Sequence, residues 1–281
     1  MKIKITSDST CDLSKELLEK YDISLYRLTV VKDGQEYKDN ETITPADIFA
    51  HVAAGGALCS TAAGGVGDYQ QLFETYADKY DGIVHINIGS HFSSSYQNAS
   101  IAASEFENVV VIDSMNLSTG QGLVVLKAVE LAQTCQSLEE LKKELDAYVP
   151  KVEASFLLDQ LKYMVKGGRC SSAAALGANL LNLKPCIEVK DGKMSVVKKY
   201  RGNYSKCLAN YVKDRLNDRD DVDNGTLFVT YSPVKDDNMA AVREAIAQYG
   251  SYFKNIYETD AGCTVSCHCG PGTLGVLFVR K

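Results

Sequence analysis

The chain has 281 residues, 45% hydrophobic and 23% charged, enough to bury a core and to form two domains of ordinary size. Its formal net charge is -6, and its basic residues stand singly or in pairs such as Lys142-Lys143 and Lys198-Lys199, which argues against nucleic acid as a partner. No run approaches the roughly eighteen apolar residues of an integral membrane segment, Met1 to Ile5 leads directly into polar TSDSTCD without a secretory pattern, and a cytoplasmic location is the expectation.

Lys2 to Thr6 alternates as a strand does, and SDSTCDLS leads into a helix over about 15–21, capped by Ser14 or Asp12. Thr44-Pro45, a cap followed by proline at the first helical position, opens the next helix. Leu58 to Asp68, LCSTAAGGVGD, is a loop of small residues carrying Thr61 ahead of a helix. It lacks the lysine of a nucleotide-binding P-loop. Ile83 to Ile88 and Val109 to Ile112 are strong strands, each followed by a polar turn and a helix, the rhythm of a parallel sheet with crossover helices. The loop GSHFSSSYQ after the first of them brings Ser90, Ser93, Ser94 and Ser95 to a helix start, where hydroxyls and free amides can meet an anion or simply cap the helix. Ser137 to Glu140 has the pattern of a capping box, and Pro150 breaks the run that follows.

Residues 1–150 are therefore expected to form an amino-terminal α/β domain with a mostly parallel, Rossmann-like sheet and flanking helices. Residues 151–281 are expected to form a second α/β domain with a mixed or antiparallel sheet. In the second half KGGRCS places Arg169 before an alanine- and leucine-rich helix, where its guanidinium can clamp the two lobes or neutralise an anion. Asp191-Gly192 joins two alternating runs as a β-hairpin turn. A helix over about 204–216, a strand at 227–231, a helix over about 235–249 and strands near 253–257 and 274–280 complete the chain.

The nine cysteines are odd in number and spread through a chain too large to need staples, so free thiols are expected. Cys263, Cys267, His268 and Cys269 are zinc-capable ligands, yet Cys267 to Cys269, read as extended chain, diverge, and paired C-x2-C knuckles are missing. No metal and no other cofactor is expected. His268 precedes Cys-Gly-Pro-Gly, a stiff turn from which an imidazole can be aimed at a ligand or held for structure.

These segments, in order and spacing, resemble the DegV family over essentially the whole chain: ITSDSTCDL, the Thr61 loop, IGSHFSSSYQNA, VVVIDSMNLSTGQG, LKYMVKGGRCSSAAALGANLLNLKP with its DGK turn, and HCGPGTLGV. The resemblance implies a two-domain protein that buries a long-chain fatty acid between its lobes and acts without catalysis of its own. It presents the carboxylate to a separate ATP-dependent fatty acid kinase. Position by position, Thr61 and Ser93 match the hydroxyls that hold the carboxylate and His268 the histidine beside them. Ser90 and Arg169 are secondary candidates, and Arg201 matches a basic residue near the pocket mouth that would dock the partner. Ala62-Ala63-Gly64-Gly65 departs from the Ser-Gln-Pro-Ser common in relatives, removing a hydroxyl and stiffness from that loop, and Gly89 replaces the first serine of a usual pair.

Physical chemistry agrees with that implication: burying a tail of about sixteen carbons contributes roughly 12 kcal/mol gross before association costs, and the buried carboxylate needs hydrogen-bond donors. Two other functions compete. An acyl-ester hydrolase would use Ser93 as nucleophile and His268 as base, but Ser93 lacks a G-x-S-x-G elbow and no acid is marked out to orient the histidine. The other is a sensor of a different apolar acid.

Overall fold

The computed structural model describes residues 1–176 and 183–281, and the chain opens, as its alternation dictates, with strand β1 (Ile3–Asp8). A single 3-10 turn leads to α1 (Lys15–Lys20), capped by Ser14, whose hydroxyl accepts from Leu17 N. β2 (Ser24–Tyr26) lies parallel beside β1. The hairpin of β3 (Thr29–Lys32) and β4 (Gln35–Lys38) precedes α2 (Pro45–Ala53), where Thr44 and Asp47 accept from each other's backbone N–H. The small-residue loop then contains a strand, β5 (Ser60–Ala62), which pairs with β3 to give an antiparallel sheet of order β4-β3-β5.

Next come α3 (Val66–Ala77), β6 (Gly82–Asn87), α4 (Ser95–Ala103), β7 (Val109–Asp113), α5 (Ser118–Leu131) and α6 (Leu138–Tyr148). β2-β1-β6-β7 form a wholly parallel sheet. Its two faces are both covered, so every residue of IVHINI is buried, including polar His85 and Asn87. Ile83 packs with Tyr69, Phe73 and Ala99 of α3 and α4, whereas Val84 and Ile86 join Val124 and Leu141 of α5 and α6. Ser137 caps α6, but Glu140 turns to Gln136 N, one residue before the partner a capping box requires.

After a 3-10 turn at Pro150 the chain forms β8 (Val152–Leu157), α7 (Leu161–Gly167), α8 (Ser171–Ala174), β9 (Leu183–Lys190) and β10 (Lys193–Arg201). The later part of the helix expected after Arg169 lies outside the described residues. Asp191 and Gly192 have φ of 50° and 71°, the left-handed pair that a two-residue hairpin turn demands. α9 (Tyr204–Leu216), β11 (Thr226–Tyr231), α10 (Asp236–Ala247), β12 (Asn255–Asp260), α11 (Cys263–Cys269) and β13 (Leu274–Val279) follow. The mixed sheet runs β10-β9-β8-β13-β11-β12, antiparallel except for β11 with β12.

Two expectations are corrected. The strand placed near 253–257 starts only at Asn255, where pairing to Thr226 begins, because Phe253 is buried against α9 and α10. Cys267 to Cys269 are helical, not extended, since the first turn of α11 finds buried acceptors for its N–H groups.

α5 joins the two large sheets. Its residues from Ser118 to Val125 are all buried, and one apolar cluster runs from Ile5 and Val84 through Val124 to Ala154 and Leu277. A helix with no exposed face in its first two turns is an interior helix, although Ser118, Thr119 and Gln121 there are polar. Among the described residues no helix is long and apolar enough to cross a membrane.

Candidate functional site

α11 is held at its start by carboxylates from the first forty residues. Gly262 N donates to Asp12 Oδ1 at 2.9 Å, Cys263 N to Asp39 Oδ1 at 2.7 Å, and Thr264 N to Asp39 Oδ2 at 3.3 Å. Asp39 is fully buried, and its Oδ2 also accepts from Ser9 Oγ. A Cβ on Gly262 would lie 2.9 Å from Asp12 Oδ1, so the approach requires glycine. The helix ends at Gly270, in a positive-φ conformation before Pro271. The turn expected to carry His268 is thus the stop of the helix that carries it.

His268, in the last turn of α11, bonds Thr61 Oγ1 of β5 through Nε2 at 2.8 Å. Its Nδ1 is buried with no partner among the described residues, and a Cβ on Gly167 would come within 2.4 Å of it. Burial, reinforced by the Arg169 charge, pushes the imidazole down to about 4, so it is neutral at physiological pH. A neutral imidazole and a hydroxyl carry one polar hydrogen each, and their mutual bond uses one. The tautomer protonated at Nε2 donates to Thr61 Oγ1 and leaves the threonine hydrogen for an anion, whereas the other tautomer would hold its N–H at Nδ1, buried against Gly167.

Ser93 stands just before α4. Its Oγ accepts from Ser95 N at 3.2 Å and lies 2.9 Å from Ser95 Oγ. Arg169, after α7, donates from Nε to Phe92 O at 3.3 Å and from Nη1 to Gly167 O. It therefore ties the Ser93 loop to the segment that abuts His268.

Thr61, Ser93, Arg169 and His268 line one cavity of about 200 Å³ whose remaining wall includes Leu28, Ile88, Phe92, Leu117, Met164 and Val265. The lining comes from residues 28–117 and from residues 164–269. Leu117, Val265 and Cys269 also border a smaller cavity of about 30 Å³ between α5, α11 and the mixed sheet. Polar groups converge on a mostly apolar hollow, the arrangement suited to a small molecule with one polar end.

Ser94 and Cys269 also line this hollow, whereas Ser90 and Arg201 do not. Ser90 is exposed and uses its N–H on Asp113 Oδ1; Arg201 is exposed at the end of β10. All nine cysteines are buried free thiols. Cys263 and Cys267 pack with Cys59 on the helix face away from the cavity, and burial raises the pKa of all three. No group of three potential metal ligands is assembled among the described residues. Thr264 lines the cavity and escaped the sequence reading. Its spacing four residues before His268 is visible only when the segment is taken as helical.

The sequence matches the family described as uncharacterised proteins of the DegV family over residues 2–281. It is 34% identical to a DegV domain-containing protein of Clostridium acetobutylicum, over 100% of this chain and 99% of the relative. Its fold is similar to that of a fatty-acid-binding DegV family protein from Thermus thermophilus, with a TM-score of 0.91, 30% identity and 100% of both chains covered. It is also similar to a stearic-acid-binding protein from Eubacterium ventriosum, with a TM-score of 0.82, 26% identity and 99% and 98% coverage of the two chains.

Proposed function

This chain belongs to the DegV family, and from that membership we propose that it binds a long-chain fatty acid and presents the carboxylate to a separate ATP-dependent kinase, as a cytoplasmic carrier. The observation that supports the reading is that Thr61, Ser93 and His268, from β5, the loop before α4 and α11, line the same mostly apolar cavity, with Thr61 and His268 hydrogen-bonded to each other. In this reading the head group lies among those three residues and the tail runs between segments 1–150 and 151–281. Fatty acid binding by the Thermus and Eubacterium proteins supports the ligand class.

Neutral donors suit presentation. Hydroxyls and a neutral imidazole solvate a carboxylate by hydrogen bonds without placing a full positive charge on it, so its oxygen remains available to an electrophile. Arg169 is the exception, and both of its assigned donors already serve carbonyls. The hydrolase alternative is not favoured: His268 Nε2 faces Thr61 instead of Ser93, and no carboxylate orients Nδ1 among the described residues.

Lipid extraction of the purified protein is expected to yield about one long-chain fatty acid per chain. Ser93→Ala should weaken palmitate by about ten- to a hundredfold, the loss of one hydrogen bond to a charged acceptor, and leave methyl palmitate unchanged. Calorimetry on the folded variant reads both. Undiminished discrimination between acid and ester would remove Ser93 from the head-group site, and failure of the wild type to bind palmitate or oleate would remove the function.

A further inference from the structure

Ser93 stands at the end of a buried hydrogen-bond chain that starts at the carboxyl end of β1. Asp8 is fully buried, and its Oδ2 accepts from Ile88 N at 2.8 Å and from Asn87 Nδ2 at 3.1 Å. That acceptor fixes the Asn87 amide, since its carbonyl oxygen turned towards Asp8 would set two acceptors face to face. The same Nδ2 donates to Tyr69 Oη at 3.1 Å, and the buried Tyr69 of α3 has the Ser95 hydroxyl as its other partner.

Each hydroxyl in this chain has one hydrogen to give, which sets a single direction. Tyr69 receives the Asn87 N–H, so its own hydrogen goes to Ser95 Oγ, which also accepts from Gly64 N at 3.4 Å. Ser95 is left to donate to Ser93 Oγ, 2.9 Å away, and Ser93 Oγ takes a second hydrogen bond from Ser95 N at 3.2 Å. Both lone pairs of Ser93 are then occupied. Its hydrogen is all it has left to offer, on a half-buried side chain that lines the cavity. Gly64 makes room for this arrangement, because a Cβ there would lie 2.7 Å from the Tyr69 ring.

We propose that Asn87, Tyr69 and Ser95 are positioning residues that hold Ser93 as a donor, so that the head-group site selects an ionised carboxylate over a head group that must itself donate, such as a fatty alcohol. The inference rests on the head-group reading above. A carboxylate only accepts, and it takes the Ser93 hydrogen with nothing to turn. A buried alcohol must place its own hydrogen, and Ser93 has no lone pair free to receive it. Without the Tyr69 hydroxyl, Ser95 would be open to receive the Ser93 hydrogen, and a carboxylate would first have to break that bond.

The experiment measures palmitate and hexadecanol by calorimetry on wild type, Ser93→Ala, Tyr69→Phe, Ser95→Ala and the double variant of the last two, with melting curves to confirm folding. Tyr69→Phe is expected to weaken palmitate about fivefold, the worth of one neutral hydrogen bond, and to leave hexadecanol as tight or tighter. Ser95→Ala removes the competing acceptor along with the link. It should hold palmitate within about twofold of wild type, and adding Tyr69→Phe to it should cost nothing more. Undiminished palmitate binding in Tyr69→Phe overturns the proposal. Equal weakening of both ligands, or a Tyr69→Phe cost that persists beside Ser95→Ala, makes Tyr69 a packing residue and also overturns it. So does a palmitate loss in Ser95→Ala as large as in Ser93→Ala, an arm that stands even where Tyr69→Phe does not fold. If wild type and Ser93→Ala bind palmitate equally, the head-group reading falls and the proposal with it, and if the wild type binds none, fatty acid binding falls as well.

Discussion

His268 shows how a single side chain takes its character from its surroundings. Exposed, an imidazole would titrate near neutrality, but burial and the Arg169 charge push this one down to about 4. The unfolded chain therefore takes up a proton below about pH 6.5 that the folded protein refuses until about 4. A depressed folded value means that stability is complete above the unfolded pKa and is lost as pH falls through that window. Between pH 7.5 and 4.5 this group alone should remove on the order of 2 kcal/mol, and His268→Gln should lack that part of the loss. Denaturant titrations of both proteins at the two pH values measure it. Equal losses would mean that the imidazole is already charged in the folded state. His85 is also buried and pushed down to about 3, but it is present in both proteins and cancels in the difference.

Among the elements, α11 is the one whose placement decides the site. It has seven residues, too short to be stable by propensity, and its sequence CTVSCHC contains two β-branched residues and three cysteines. What holds it is Asp39, which accepts from Cys263 N, Thr264 N and Ser9 Oγ with both oxygens. Asp39→Asn replaces one acceptor oxygen with a donor facing a backbone N–H. It should cost about 1–3 kcal/mol of stability and weaken palmitate through the displaced His268. Thermal melting and calorimetry report the two effects. A variant that loses stability but binds palmitate at full strength would make Asp39 structural only. Asp12 has a parallel role: read in sequence as a possible cap of α1, it is instead committed to Gly262 and Ser118, and Ser14 serves as the cap.

On the scale of the whole molecule, α5 packs the parallel and mixed sheets into one core and leaves the cavity beside it, where segments far apart in the chain meet. β10 is the outer strand of the mixed sheet and carries exposed Lys193, Lys198, Lys199 and Arg201. Lysines on an edge strand discourage pairing with other chains, and the same charges can dock an acidic partner. If Arg201 docks a kinase, Arg201→Glu should leave palmitate affinity unchanged and slow partner-dependent phosphorylation at limiting kinase by at least about tenfold. Lys193→Glu, at the far end of the strand, is the control. Equal slowing by both substitutions would point to general attraction along the strand, and no slowing by Arg201→Glu would leave this arginine a surface charge.

The residue pattern by itself determined the elements whose signals are local. Alternation marked β1 and β6, Thr44-Pro45 and Ser137 marked two helix starts, and Asp191-Gly192 marked the turn between β9 and β10, because each depends on neighbours a few positions away. The order of the family motifs likewise marked Thr61, Ser93 and His268 as a set. Only the tertiary structure decided that β5 is a strand and α11 a helix. β5 exists through its pairing with β3 across some thirty residues, and α11 through carboxylates more than two hundred residues away, at Asp12 and Asp39. Taken as extended chain, CTVSCHC gave no reason to connect Thr264 with His268. Once helical, its pitch puts both on the cavity face and sends Cys263 and Cys267 to the opposite one, because a side chain's direction depends on backbone geometry that long-range hydrogen bonds select.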